Sequence, residues 1–369
     1  MQTFDNSSYF TGSDIAQNQS ITISNGKIIS INKATGESND SLIIPGLIDL
    51  QIYGAGGKLF SAQPSLESIR HIEDSLLQQG NTGFFICLAT NTPEVFNECI
   101  DVIKSYQNEA RNCLGLHLEG PFLNPKKRGA HIEELIRKAT LDEVKALLER
   151  GDGTIKMMTL APELQADEVI EYLLDNDVVV SLGHSEATFA QATKAYNQGI
   201  QTTTHLFNAM SPIQHRAPGI PTAVFNHPTA MASIIADGHH VDFEVVKMAA
   251  NLMKERLFLI TDAVTACDSG PYLHHAVDGK FVMPDGTLSG SSLTMLQGVK
   301  NFIDHCGISM VDAINMGSYY PAKLIKKEKE IGTIAIGAEA NMLVLDKNLN
   351  LEKVFFKGEE IKLDKASAI

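Results

Sequence analysis

Residues 178–209 read VVVSLGHSEATFAQATKAYNQGIQTTTHLFNA. An apolar, β-branched run breaks into the polar turn Gly183-His184-Ser185. An amphipathic stretch with a Thr near its start closes on Gly199, and a second β-branched run ends at His205-Leu206-Phe207-Asn208. Runs that are apolar on both faces suit parallel strands covered by helices, so the segment predicts one strand-helix-strand unit.

The same theme recurs along most of the chain. Matching runs stand at 43–54 (IIPGLIDLQIYG), 83–90 (GFFICLAT), 113–120 (CLGLHLEG), 155–163 (IKMMTLAPE), 231–238 (MASIIADG) and 256–263 (RLFLITDA). With the two above, that makes eight strands alternating with helices such as SLESIRHIEDSLLQQG and TPEVFNECIDVIKSYQ. Eight units over this length predict a (β/α)8 barrel, an α/β fold typically of about 250 residues; a doubly wound sheet is the alternative. The ends do not fit the barrel. SITISNGKIISIN at 20–32 alternates around Asn25-Gly26, a hairpin signal, and 333–363 reads as further strands. The expectation is a small β-sandwich domain built from both termini, 1–42 and 331–369, flanking a barrel over 43–330.

The chain has 369 residues, with 30 Lys plus Arg against 44 Asp plus Glu and a formal charge of −14. Such a surface repels phosphate backbones, which argues against nucleic acid as a partner. No apolar run approaches the roughly 18 residues needed to span a bilayer, and the start, MQTFDNSSYF, has no signal-peptide pattern. A cytoplasmic protein without a membrane partner is expected. Cys87, Cys99, Cys113, Cys267 and Cys306 are scattered, with no CxxC pair, and read as buried reduced thiols.

A barrel of this kind carries its active site at the C-terminal ends of its strands, so polar residues that close apolar runs are the informative ones. They are Glu119 in HLEGPF, His184 in GHS, His205 in THLF and Asp262 in ITDA. Taken singly, each has a structural explanation as a hydrogen-bonded strand end or a helix cap. Taken together, two imidazoles and a carboxylate make a three-ligand set for a catalytic divalent metal, zinc or alternatively iron. Asp262 is then placed to shuttle a proton.

The series PGLIDLQIYGAGG, HLEGPFLN, RGAH, SLGHS, THLFNAM, ADGHHVD, LITDA and DGTLSGS resembles, in order, the motifs of the N-acetylglucosamine-6-phosphate deacetylases of the amidohydrolase superfamily. The resemblance runs from about 43 to 345. It implies hydrolysis of the acetamide of N-acetyl-D-glucosamine 6-phosphate, with Glu119, His184 and His205 as metal ligands and Asp262 as acid/base. It further implies substrate contacts from Ala130, His131, Asn208, Ala209, Leu288, Ser289 and Gly290, and a phosphate-binding pair of Arg216 and His240 shared across a homodimer interface. One position departs from the wider superfamily. Where many members carry His-x-His for a second metal, this chain has Gln51-Ile52-Tyr53. A single metal is therefore expected, with Gln51 beside it orienting water or substrate. The segment 264–280, containing Cys267, His274 and His275, is within reach of the site and is expected to form a lid or hairpin without a catalytic role. An N-acetylgalactosamine-6-phosphate deacetylase, a cyclic-amide hydrolase and a non-catalytic binding protein on the same fold are the competing readings.

Overall fold

The computed structural model describes residues 1–36 and 41–364. Residues 37–40 and 365–369, which fall within the two expected terminal segments, lie outside the described residues.

Eight parallel strands follow one another around a barrel: Leu47–Ile52, Asn81–Ala89, Cys113–Glu119, Ile155–Leu160, Val179–Leu182, Thr202–Thr203, Met231–Ile234 and Leu257–Leu259. Each pairs with its sequence neighbour. The ring closes where Ile52 bridges Ala263, Tyr53 N–H donates to the Ala263 carbonyl at 2.9 Å and Asp262 N–H donates to the Gln51 carbonyl at 3.0 Å. Closure of first strand onto last excludes the doubly wound alternative, which leaves two open edges.

Local chemistry explains the helices between the strands. Ser65, Thr92, Thr140, Thr188 and Thr294 each accept a hydrogen bond from the first turn of the helix that follows, and Thr188 with Gln191 forms a reciprocal capping box. Gly199 ends its helix at φ 116°, a conformation that favours glycine. Several strands are shorter than their apolar runs predict. The run at 202–209 contributes only two strand residues because the backbone turns to positive φ at His205, Phe207 and Ala209 and leaves the sheet.

The termini form one seven-stranded sheet from Gln2–Phe10, Ile15–Ser24, Lys27–Lys33, Leu42–Pro45, Met342–Leu345, Leu351–Phe356 and Glu359–Ile361. The Asn25-Gly26 turn, with φ of 50° and 74°, joins the second and third strands as a tight hairpin. The expected β-rich unit from both termini is present, as one continuous sheet rather than the two packed sheets of a sandwich. Ile21, Ile23 and Ile28 from one end share a core with Met342 and Phe355 from the other, and Ile28 N–H donates to Ala338 O at 3.0 Å. All five cysteines are buried and unpaired, and among the described residues no helix is long and apolar enough to cross a membrane.

Asp49, fully buried on the first barrel strand, braces the seam. One carboxylate oxygen accepts Gln51 N–H at 3.1 Å and Thr261 N–H at 3.3 Å; the other accepts the Thr261 hydroxyl at 2.5 Å. Burial raises its pKa to about 7 in spite of these bonds. An acid whose pKa is raised on folding binds its proton more tightly in the native state, so its contribution to stability falls as the pH rises from about 4 to about 7. Thermal melts between pH 5 and pH 7.5 are expected to show the wild type losing stability relative to Asp49→Asn over that window. A difference that does not change with pH contradicts the assignment.

Candidate active site

Glu119 is the last residue of the third barrel strand, and three further rim residues sit just past the ends of theirs. His184, His205 and Asp262 all take positive φ, 45°, 31° and 53°. Non-glycine residues seldom adopt this region, at a cost of about 1–3 kcal/mol each, and such strain clusters where function holds it in place. Here it turns each chain off its strand while leaving the side chain in the barrel mouth. The four side chains line one pocket, and all four residues are at least nine-tenths buried.

At its centre is Glu119. Its Oε1 accepts from Gln51 Nε2 at 2.9 Å and lies 3.1 Å from His205 Nε2 and 3.4 Å from His184 Nε2; the two imidazole nitrogens are 3.0 Å apart. Its Oε2 accepts from the Tyr53 hydroxyl and, at 3.1 Å, from His131 Nε2. Burial alone would raise the Glu119 carboxyl, yet the facing His184 imidazole and the bonds from His131, His184 and His205 hold it well below the usual range. Burial pushes His184 down to about 4, whereas the bond to Glu119 and the charges around it lift His205 above its ordinary value in spite of burial. The opposed directions have one cause. Two imidazoles face each other across a buried carboxylate, whose charge favours the protonated form of the nearer ring, His205.

The same donor set suits a divalent cation. Three ligand atoms 3.0–3.4 Å apart match the spacing around a tetrahedral ion with bonds of about 2.0–2.1 Å. His184 is oriented for the role, since its Nδ1 donates to the Lys127 carbonyl at 2.8 Å and leaves the Nε2 lone pair facing the centre. His205 Nδ1 is buried without a partner among the described residues. Glu119, His131 and His184 also offer ligand atoms within 4.8 Å of one another. His131, however, is engaged elsewhere: Thr90 N–H donates to its Nδ1 at 3.2 Å, which puts the ring proton on Nε2, directed at Glu119.

Asp262 stands on the other side of Gln51. Gln51 Nε2 donates to Asp262 Oδ1 at 2.7 Å as well as to Glu119, so one amide holds two carboxylates together. Burial, reinforced by the Glu119 charge, holds Asp262 above the usual carboxylate range against the pull of His205, His240 and His184.

Of the remaining expected residues, Ala130, His131, Asn208, Ala209, His240, Leu288, Ser289 and Gly290 line the pocket. His240 is held by Asp237, whose Oδ2 lies 2.6 Å from its Nδ1 and whose Oδ1 accepts the His239 and His240 backbone N–H groups at 2.8 Å each. Arg216 is not brought to the pocket of its own chain. It is exposed on the loop before the helix Gly219–Asn226, where Gln214 and Ala217 pair to hold a tight turn.

The sequence reading missed several residues. Tyr53, named above only as a non-ligand position, lies two positions beyond Gln51 and just past the strand end, a period-two signal for its bond to Glu119. Thr90, Asp237 and Tyr272 join the site only through tertiary contacts, while His274, on the segment expected near the site, lines the pocket itself.

Comparison with known proteins agrees with this geometry. The human N-acetylglucosamine-6-phosphate deacetylase is 36% identical over 338 residues, spanning 86% of this chain and 83% of that one. The N-acetylgalactosamine-6-phosphate deacetylase of Escherichia coli O157:H7 is 28% identical over 360 residues, spanning 92% and 93%. The solved N-acetylglucosamine-6-phosphate deacetylase from Pasteurella multocida superposes with a TM-score of 0.92 at 31% identity, over 98% of this chain and 99% of that one. With a carboxylate and two imidazoles converging on the rim of a β/α barrel, and the amidohydrolase family profile matching residues 42–361, the chain belongs to the amidohydrolase family.

Proposed function

We propose that the protein is a metal-dependent deacetylase that hydrolyses the acetamide of N-acetyl-D-glucosamine 6-phosphate to D-glucosamine 6-phosphate and acetate. The observation that carries this reading is the joint arrangement of Glu119, His184 and His205 as a three-atom donor set with Asp262 tied to the same Glu119 through Gln51. A binding protein that had lost catalysis has no need to keep both the donor set and a buried carboxylate of raised pKa beside it.

Glu119, His184 and His205 are the proposed ligands of one divalent ion, Zn2+ or alternatively Fe2+, with Gln51 where a second metal's ligands would otherwise stand. Such an ion supplies Lewis-acid polarisation of the acetyl carbonyl and brings the pKa of water down towards about 7. Asp262 does the proton work. Its Oδ1 is held by Gln51, so Oδ2 accepts a proton from the attacking water. It then delivers that proton to the amide nitrogen as the C–N bond breaks, and the amine leaves neutral. The His131 Nε2–H, which points at Glu119 in the free site, exchanges that acceptor for the acetyl oxygen as negative charge develops there.

Ala130, Asn208, Ala209, Leu288, Ser289 and Gly290 contact the sugar, and His240, fixed by Asp237, takes the phosphate. Arg216, exposed on its own chain, completes the phosphate site of a neighbouring copy in a homodimer; a guanidinium fork suits a phosphate bidentately. The proposed location is the cytoplasm. The galacto epimer of the substrate is the second reading, supported by the relative from E. coli O157:H7.

An assay of amine release from the two epimeric N-acetylhexosamine 6-phosphates and from unphosphorylated N-acetylglucosamine tests the reading. Turnover of the gluco phosphate is expected to dominate; inactivity on both phosphates defeats the deacetylase assignment, and equal turnover without phosphate defeats the roles of Arg216 and His240. Asp262→Asn is expected to lower kcat by at least about 10²-fold with metal content unchanged by elemental analysis, whereas loss of metal in that variant would make Asp262 a ligand. Chelation is expected to abolish turnover and lower the thermal midpoint, with both restored by one equivalent of Zn2+ per chain; two tightly bound ions per chain contradict the single-site assignment.

A further inference from the structure

The eighth strand is followed by a three-stranded antiparallel sheet, His275–Val277, Lys280–Val282 and Leu288–Ser291, that folds over the barrel mouth. Its last strand rests on the catalytic loop, where Ser291 N–H donates to the Asp262 carbonyl at 2.9 Å. His274 stands immediately before the first of these strands. Its backbone is locked by paired bonds with Cys267, at 3.0 Å and 3.2 Å.

The His274 ring lines the same pocket as Glu119 and Asp262 and is only 5% exposed. Its Nδ1 lies 3.0 Å from the Ser289 hydroxyl. One face stacks on Tyr272, with centroids 6.2 Å apart and planes 14° apart, and Phe281 meets the ring edge-on at 6.5 Å. Among the described residues Nε2 has no protein partner, so an imidazole fixed on its other sides has one polar atom left for a ligand. We infer that His274 contacts the substrate and helps determine specificity, its Nε2 exchanging a hydrogen bond with a ring hydroxyl of the bound hexosamine; this rests on the deacetylase reading above.

Two observations favour a hydroxyl over the phosphate or the acetyl group. Burial, with His275 alongside, lowers the His274 pKa to about 4, so the ring is neutral near pH 7 and offers no charge to a phosphate. The Ser289 hydroxyl can donate to or accept from Nδ1, so either tautomer of the ring is satisfied and Nε2 can present a proton or a lone pair. That matches an alcohol, which is both donor and acceptor. A purely structural role fits less well, because the sheet is anchored independently. The Tyr272 hydroxyl donates to the Thr90 carbonyl at 2.5 Å, and Thr90 is the residue whose N–H orients His131. The support under His274 therefore continues to the catalytic histidine without passing through Nε2.

Two isosteres separate the readings. His274→Asn keeps a polar atom near Nδ1 for Ser289 but has none at Nε2; His274→Gln reaches the Nε2 position and gives up the bond to Ser289. Kinetics are measured for both variants and the wild type with N-acetylglucosamine 6-phosphate and its 3-deoxy and 4-deoxy analogues. The Asn variant is expected to raise KM for the parent about tenfold with a smaller change in kcat, and Gln to recover most of that loss. With the analogue lacking the contacted hydroxyl, the wild type is expected to lose the same factor and the Asn variant no more. An Asn variant with wild-type KM, or one impaired equally on all three substrates, overturns the inference while leaving the deacetylase reading intact. A wild type that releases no amine from any of them overturns both.

Discussion

The site is organised by the burial of one carboxylate. Glu119 is 2% exposed at the end of the third barrel strand, and an isolated carboxylate there would protonate. It stays ionised because Gln51, Tyr53 and His131 donate to it and two imidazoles face it. Three of those groups are in turn held by something further out: His184 by the Lys127 carbonyl, His131 by Thr90, and Gln51 by its second bond to Asp262. The demand for positive charge at the centre, the orientation of the two imidazoles and the placement of Asp262 are thus consequences of one desolvated anion.

Barrel closure is what makes that arrangement attainable. Gln51 and Asp262 belong to the first strand and the loop after the last, 211 residues apart, and they meet because the sheet returns on itself through Ile52, Tyr53 and Ala263. Asp49 reinforces the same seam from below by binding Thr261, the residue before Asp262. Barrel closure and the candidate site therefore share a locus: the backbone bonds that close the barrel also fix the separation between Glu119 and Asp262.

The sheet after the eighth strand contributes Leu288, Ser289 and Gly290 to the pocket lining. It is joined to the catalytic loop through Ser291 and to the second strand through Tyr272 and Thr90. His274 shows why the roles of its residues were not legible in the sequence. In the string VTACDSGPYLHHAVDGK it is one of two adjacent histidines with no periodicity to rank them, and in space the first is buried in the pocket while the second is exposed.

Much of the rest was legible because it depends on local rules. The eight apolar runs, the Ser and Thr caps and the Asn25-Gly26 hairpin report the hydrophobic period and backbone preferences of contiguous residues. The rule that barrel chemistry sits at strand ends then singles out Glu119, His184, His205 and Asp262. What the amino-acid sequence determined by itself was accordingly the fold and the identity of the central side chains. Tertiary structure alone decided which nitrogens face one another, that Tyr53 and His131 serve Glu119, that Gln51 joins two carboxylates, and that Arg216 stands outside its own chain's pocket. Those outcomes depend on barrel closure, on positive φ at three rim residues and on contacts between segments far apart in the chain, and no local pattern encodes distances of that kind.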